Sequence, residues 1–344
     1  MRLRPAARPY LYSMLLLVTA LIISIGIGSV FISPNNLAQI FIARLLGKPI
    51  NTEVLKPFET IIFSLRLPRT FLIAITGAAL AGSGAAYQGL FQNPLADPYL
   101  IGVASGAGLG AVISMSVDWP YTLAGYMTIP VFAFIGALAT VFIVYQLAKV
   151  GGSVPTTNLI LAGVVVGSFA TAITSFLMIK STDEIRRAIV FLMGGATMSG
   201  WPPVLAVLPY SILGLGILLT MGHALNVLQY GDEQAQQMGL NVKKVRLIII
   251  ITASLTTAAA VSFTGIIGFI GLIIPHTVRF LWGGDYRRLT PLAIINGAGL
   301  LLIADVLARI LMAPQEIPIG IITALFGAPF FLWIMRRAGQ QNYW

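Results

Sequence analysis

The sequence predicts an all-α integral membrane protein of about ten transmembrane helices, together with a partial helix that lines a cavity. Of the 344 residues, 57% are hydrophobic and only 9% are charged, and the mean hydropathy is +0.90. Several uninterrupted apolar runs are long enough to cross about 30 Å of hydrocarbon as helices. The segments between them are too short to fold separately, so we expect residues 1–344 to form one membrane domain.

The amino terminus combines a basic start with an apolar stretch, a pattern shared by cleavable signal peptides and first membrane helices. The apolar run is too long for a signal sequence, and no clear small-x-small cleavage site precedes Pro34. We therefore expect a first transmembrane helix near residues 11–32, with its basic end in the cytoplasm.

Further apolar runs predict nine more crossings, which return the carboxyl terminus to the cytoplasm. Residues 187–202 are apolar but interrupted by glycines and prolines, which predicts a partial helix lining a cavity. The predicted crossings after the first lie near residues 67–90, 99–116, 122–147, 157–179, 203–225, 245–263, 265–282, 289–311 and 318–335.

The distribution of charge supports this topology independently. The predicted cytoplasmic side carries twelve of the 21 Lys and Arg residues but only four of the 11 Asp and Glu residues. This excess is the positive-inside pattern, so the net charge of +10 indicates orientation rather than nucleic-acid binding. The inner cations are Arg2, Arg4, Arg8, Lys149, Lys243, Lys244, Arg246, Arg279, Arg287, Arg288, Arg336 and Arg337.

Small residues recur every four positions on two predicted helices. Gly102, Gly106 and Gly110 form one row, and a second row contains Ala74, Ala78, Gly82 and Ala86. Such rows give a helix a flat face that another backbone can approach, so helix packing is the favoured explanation.

The chain lacks the motifs that would power transport or catalyse a reaction. It has no G-x-x-x-x-G-K-[ST] phosphate loop, no G-x-S-x-G elbow and no cysteine. Neither His223 nor His276 has a second ligand at metal-binding spacing. Asp305 alone lies clearly inside a span, and Arg309 four residues later favours a salt bridge over a proton relay. An ion-coupled secondary transporter remains the alternative.

Four segments carry a family resemblance that covers most of the chain. They are RLPRTFLIAITGAALAGSGAAYQGLFQNPLADPYLIGVASGAGLG at 66–110, GFIGLIIPHTVR at 268–279, ADVLAR at 304–309 and IPIGIITALFGAPFF at 317–331. Together they resemble the FecCD-type permease subunits of ATP-binding-cassette (ABC) importers for iron-siderophore complexes, haem and cobalamin. The resemblance implies the type II ABC importer permease fold in a prokaryotic inner membrane.

The resemblance also implies partners and a cargo class. A second permease subunit, as a homodimer or a close paralogue, would complete the translocation path, and two ATPase subunits would hold ATP and Mg. No cofactor is expected in this chain. An extracytoplasmic binding protein would deliver a ferric siderophore, haem or cobalamin, with an oxyanion such as molybdate as the alternative. No residue in the sequence selects among these cargoes.

A polar loop at residues 229–246 is the predicted contact for the ATPase. Glu233, Ala235 and Gly239 fit E-x-A-x-x-x-G, which resembles the coupling motif of importer permeases, although Gln234 stands where the strict form has alanine. Together with Asp232, these residues form the coupling set that the resemblance implies. A solvated cytoplasmic loop is the alternative explanation.

Two further sets of residues match family positions. Asn93 and Leu95, with Thr156 and Thr157, match a gate at the inner end of the path, although threonines at a helix start also serve as caps.

Arg66, Arg69 and Arg309 lie at predicted outer helix ends. The resemblance implies that they receive acidic side chains of the binding protein through forked hydrogen bonds, with Asp305 orienting Arg309. Anchoring of helix ends at lipid headgroups is the alternative.

Overall fold

A computed structural model describes residues 7–28, 30, 32–47, 55–120, 122–151, 154–180, 185–196 and 198–338. The predicted inner cations Arg2 and Arg4 lie outside these residues. Within them the α-helices are α1 (Arg8–Gly26), α2 (Pro34–Leu45), α3 (Leu55–Thr60), α4 (Leu67–Leu90), α5 (Val103–Met115), α6 (Leu123–Ala148), α7 (Thr156–Lys180), α8 (Ile185–Leu192), α9 (Trp201–Thr220), α10 (Gly222–Leu228), α11 (Asp232–Gln237), α12 (Val242–Thr264), α13 (Ile270–Trp282), α14 (Tyr286–Ile310) and α15 (Ile319–Ala338).

The helices that can cross a membrane agree in number with the prediction. In the described part of the chain, seven helices are long and apolar enough to cross, and three shorter apolar helices lie within α5, α13 and α15. The sum of seven and three matches the ten expected. The predicted partial helix is also present, because α8 has only eight residues and ends before a glycine-rich turn.

The second crossing begins earlier than the sequence predicted. We expected it to start at residue 67, but one continuous helix of 35 residues, Lys56–Leu90, runs through α3, a π-helical turn at Ile61–Arg66 and α4. The prediction placed Arg66 and Arg69 at the outer start of this crossing. The wider π turn accommodates Pro68, which lacks the N–H of a regular helix.

Two other predicted crossings are shorter than expected. The span predicted at 203–225 is divided into α9 and α10 near Gly222, where a Cβ would lie 3.0 Å from the Cα of Arg287. The span predicted at 265–282 begins only at Ile270, because Gly265 and Phe269 adopt positive φ angles of 72° and 71°. Such angles interrupt a right-handed helix.

Helices α4, α12 and α14 form the centre of the bundle. Their most apolar windows are 83%, 78% and 61% buried, whereas those of α1 and α7 are each only 22% buried. The outer helices therefore leave large apolar side chains exposed, including Leu161, Phe169 and Phe176 of α7. These faces suit lipid or a second protein rather than water.

Backbones meet closely where glycines face one another. A Cβ on Gly77 of α4 would overlap the carbonyl of Gly297 of α14, and the reverse is also true. A Cβ on Gly106 of α5 would likewise overlap the carbonyl of Gly136 of α6. The small-residue row on α5 therefore serves packing, whereas the closest contact of α4 with α14 uses Gly77 rather than the alanine row.

Side-chain contacts define two ends of the bundle. At the α11 end, Gln92 donates to the Leu228 carbonyl and Arg246 contacts both Val154 and Asp232. The arginine end carries Arg66, Arg69 and Arg309. The predicted coupling and gate residues share the first end, and the predicted docking residues share the second.

Because the α4–α14 contact leaves no room for a side chain, we expect Gly77→Val to destabilise the fold by about 1–3 kcal/mol or more. Thermal unfolding of the detergent-solubilised protein measures this. Gly216→Ala is the matched control, because Gly216 is also helical but a Cβ there would meet no neighbouring side chain or helix within 4 Å. Equal melting temperatures for the two variants would contradict the packing assignment.

Candidate functional site

The arginine end contains an ion network that joins two distant helices. Arg69, in the first turn of α4, places Nε 2.9 Å from Oδ1 of Asp305 on α14. Arg309, one turn later on α14, places Nε 3.0 Å from the other carboxylate oxygen. Asp305 is fully buried. The two guanidinium groups compensate its negative charge. This arrangement agrees with the predicted salt bridge and pairs the acid that an ion-coupled carrier would need to be free.

Arg66 and Arg309 also hold the end of α1. Arg66 donates to the carbonyls of residues 25, 26 and 30, and Arg309 donates to those of residues 24 and 27. Carbonyls in the last turn of a helix lack intrahelical partners and carry the negative end of the helix dipole. Gly28 permits the close approach, because a Cβ there would lie 2.9 Å from Nη2 of Arg66. The two arginines therefore cap α1, Arg66 from the π-helical turn before α4 and Arg309 from α14.

The three predicted docking arginines differ in exposure. Arg66 and Arg309 are 7% and 4% exposed. Arg69 keeps 28% of its side chain exposed and places Nη1 2.6 Å from Oε2 of Glu316, whose side chain is 46% exposed. Anchoring at lipid headgroups does not describe the two buried arginines, because their guanidinium groups point into the protein. The cluster of three arginines and two acids retains one positive charge.

A cavity of about 870 Å³ opens beside this cluster. Its wall includes all three arginines, Glu316 and the glycines that follow α8. Gly194 adopts a φ of 80°, and its carbonyl accepts from the amide of Ile319 at the start of α15. The partial helix therefore lines a cavity, as the broken apolar segment predicted.

Helix α11 is a short helix with a complete carboxyl-terminal cap. The amide of Gly239 donates to the Gln236 carbonyl at 2.9 Å, and the amide of Leu240 donates to the Ala235 carbonyl at 3.0 Å. These two bonds form a Schellman motif, which requires a left-handed residue; Gly239 supplies it with a φ of 87°. The motif glycine thus ends the helix.

The predicted coupling residues point in different directions. Ala235 is fully buried against the core, whereas Glu233 and Gly239 are exposed. Asp232 instead turns back toward α12 and forms two bonds with Nη2 of Arg246, at 2.8 and 3.0 Å. The surface that α11 offers to a partner therefore includes Glu233 but not Ala235.

Arg246 and Glu316 are the residues that sequence reasoning missed. Arg246 counted only as an inner cation, although it lies within the mainly apolar α12 and is 8% exposed. A cation at such a position needs internal partners, which was the available signal. Glu316 carried no signal, because its partner Arg69 is 247 residues away in sequence.

The predicted gate residues also lie at the α11 end. Asn93 and Thr157 are exposed, and Leu95 and Thr156 are half-buried. The side-chain oxygen of Asn93 accepts from the amide of Leu95 at 2.9 Å, so these two residues form one turn. Asn93 therefore has a local structural role in addition to the role that the resemblance implies.

Carboxylates near the gate and at the start of α14 differ in electrostatic environment. Burial raises the pKa of Asp97 to about 6, while its side chain accepts from the amide of Tyr99. Hydrogen bonds from Arg287 and then from Asn226 lower the pKa of Asp285 to about 2. Asp97 also borders a second cavity, of about 900 Å³, whose wall includes Gly163 and Gly167 of α7.

Comparisons with known proteins agree on one family. The model of the FecCD transport family matches residues 16–337. The cobalamin import system permease BtuC of Halobacterium salinarum is 44% identical over 84% of this chain and 76% of its own length. The hemin transport system permease HmuU of Yersinia pestis is 41% identical over 85% of this chain and 88% of its own.

A related iron-citrate permease and a solved structure extend the match to nearly the whole chain. The Fe(3+)-citrate import system permease YfmE of Bacillus subtilis is 35% identical over 98% of both chains. An inward-facing structure of a metal-chelate type ABC transporter superposes with a TM-score of 0.81 at 29% identity, covering 96% of this chain and 99% of that one. The fold agrees with the predicted importer permease architecture.

We expect Arg309→Met to lower the free energy of unfolding by about 3–5 kcal/mol, because it leaves buried Asp305 undercompensated and part of α1 uncapped. Thermal unfolding in detergent measures the loss. Arg44→Met is the matched control, since Arg44 pairs with Glu59 but its side chain is 68% exposed, and such pairs contribute at most about 1 kcal/mol. A loss no larger than that of the control would show that the network is not structural.

Proposed function

The chain belongs to the FecCD transport family and is a multi-pass membrane permease of the ABC importer type, and we propose how it works with its partners. It forms a translocation path with a second copy of itself, and two ATPase subunits bind at the α11 end. An extracytoplasmic binding protein delivers the cargo at the arginine end. The α11 end then faces the cytoplasm of a prokaryotic cell, together with both termini.

The observation that carries this proposal is the position of α11. It is a capped helix with exposed Glu233, and it shares one end of the bundle with Asn93 and Thr157. A short rigid helix with a polar outer face can seat in a groove of a partner. The chain contains no phosphate loop, so the ATP is bound and hydrolysed by that partner.

The exposed apolar face of α7 supports pairing with a second permease subunit. Leu161, Val165 and Phe169 are each at least 60% exposed. A path between two such subunits would have mostly apolar, weakly contacting walls, along which a large chelate can move. Relatives import cobalamin, hemin and iron citrate, and we infer a metal chelate of this class as cargo. An oxyanion is the less favoured alternative.

Docking of the binding protein involves the three arginines in different ways. Arg69 is the accessible member, and an acidic side chain of the binding protein replaces Glu316 as its partner. Arg66 and Arg309 hold the end of α1, and Arg309 also holds Asp305 in position. Asp305 in turn orients the guanidinium group of Arg69 toward the partner. Arginine suits this role because its planar donors match a carboxylate.

Reconstitution tests the proposed function. The chain alone in lipid vesicles is expected to hydrolyse no ATP, whereas the chain with its cognate ATPase is expected to hydrolyse ATP faster when the loaded binding protein is present. Uptake of labelled chelate should require all the partners. Hydrolysis or proton-driven uptake by the lone chain would overturn the proposal.

Charge reversal tests docking. We expect Arg69→Glu to weaken binding of the loaded binding protein and to make the remaining affinity less dependent on salt, because a charge-assisted pair is lost. Glu316→Gln should instead strengthen binding, since it removes the internal competitor. Binding is measured by titration on nanodiscs at low and high salt.

Arg44→Glu is the control for docking, because it reverses another outer arginine outside the cluster. If Arg69→Glu binds as tightly as the parent at low salt, the docking assignment is wrong. Because Arg69 also pairs with buried Asp305, equal amounts of folded protein are compared. Per folded protein, assembly with the ATPase should be equal in all variants, and this is checked by co-purification.

A further inference from the structure

Arg246 connects three segments at the α11 end. It lies one turn into α12, and its Nη2 bonds both carboxylate oxygens of Asp232, the first residue of α11. Its Nη1 donates to the carbonyl of Val154 at 2.9 Å, two residues before α7 begins at Thr156. One buried side chain thus links the start of α11 to the start of α7.

The chemistry of this connection makes it stiff and specific. Charge-assisted bonds from a guanidinium group are stronger than neutral ones and fix the geometry of both partners. Nη1 and Nη2 are held apart by the planar group, so a shift of Asp232 changes the position of the donor to Val154. Lysine cannot reproduce this arrangement, because its ammonium is a single charged point.

The connection is not fully satisfied in this structure. Nε of Arg246 is buried and has no acceptor within the described residues. A buried donor without a partner is costly, so an acceptor that reaches Nε when the segments move would stabilise that second arrangement. The Asp232 side chain remains 45% exposed, so a small displacement of α11 changes its position. The buried Ala235 limits how far α11 can move.

We propose that Arg246 is the positioning residue that transmits movement of α11 to the start of α7. It thereby sets the position of Thr156 and Thr157, the predicted gate residues. The proposal rests on the proposed function, in which α11 receives the ATPase. When the ATPase displaces α11, Asp232 moves, the guanidinium group rotates, and the Val154 carbonyl is pulled or released. Pro155 and Thr156 follow because they continue directly into α7.

The test uses the permease with its ATPase and binding protein in lipid vesicles. Asp232→Asn removes the charge with little change in shape, and Arg246→Lys keeps the charge but loses the fork. Arg287→Met is the matched control: Arg287 also bonds both oxygens of a carboxylate at the same end, but it is 65% exposed and its partner Asp285 is the N-cap of α14.

The gate is followed directly in a Thr157→Cys background, which is convenient because the chain has no cysteine of its own. Cross-linking between the two subunits is measured with and without ATP. For Arg246→Lys we expect normal assembly and continued ATP hydrolysis, with chelate uptake per ATP reduced by about tenfold. For Asp232→Asn, whose side chain belongs to the predicted coupling set, we expect the same loss of uptake per ATP in those complexes that assemble. The cross-linking yield should no longer respond to ATP. Arg287→Met should match the parent in every measurement.

Each other outcome opposes the proposal in a distinct way. If both variants keep parental uptake per ATP and ATP-dependent cross-linking, Arg246 does not transmit the movement. If they lose folded protein but uptake falls only in proportion, Arg246 is merely structural. If Glu233→Lys and Gly239→Leu also leave uptake and assembly unchanged, α11 is not the ATPase contact, and the proposed function fails instead.

Discussion

The contact between α4 and α14 sets the register on which the arginine end depends. Gly77 and Gly297 allow the two backbones to meet, and the helices run antiparallel from that point. Arg69 lies eight residues before Gly77 (77 − 69), and Asp305 lies eight residues after Gly297 (305 − 297). At 1.5 Å per residue, both side chains therefore lie about 12 Å along the bundle from the glycine contact. The network of Asp305, Arg69 and Arg309 follows from this register.

The number of membrane-spanning helices could be predicted from the sequence, because apolar runs mark the segments that contact lipid and the charge distribution indicates which loops lie on the inner side. The broken helix before Gly194 was also predictable, since glycines and prolines within an apolar run leave few other structures. The start of the second crossing was not predictable, because a π turn allows the helix to continue through Arg66 and Pro68. Local sequence rules place a boundary at such residues, whereas here Arg66 bonds the carbonyls at the end of α1 from within the continuous helix.

Orientation of long side chains was the main limit on predicting the candidate sites. Topology brought Arg66, Arg69 and Arg309 to one end, and the structure gathers them there. The predicted topology did not show that two of these arginines cap α1, because the carbonyls that Arg309 contacts lie more than 280 residues away in the sequence. At the other end, the motif around α11 was visible, but the inward turn of Asp232 depends on Arg246 of the next helix. Whether these residues act in docking, coupling and gating stays a prediction.

The continuous second crossing has a consequence for the outer surface. Its 35 residues span about 52 Å at 1.5 Å per residue, whereas the hydrocarbon core is about 30 Å thick. Tilting absorbs part of the difference, and the remainder must stand outside the bilayer. The α3 end of this helix therefore projects from the bilayer beside the cavity and its charged wall as continuous helix rather than as a loop. The height of this projection above the bilayer is set by helix geometry. Inserting or deleting residues before Arg66 would therefore change the distance at which a partner protein contacts the helix end in steps of about 1.5 Å.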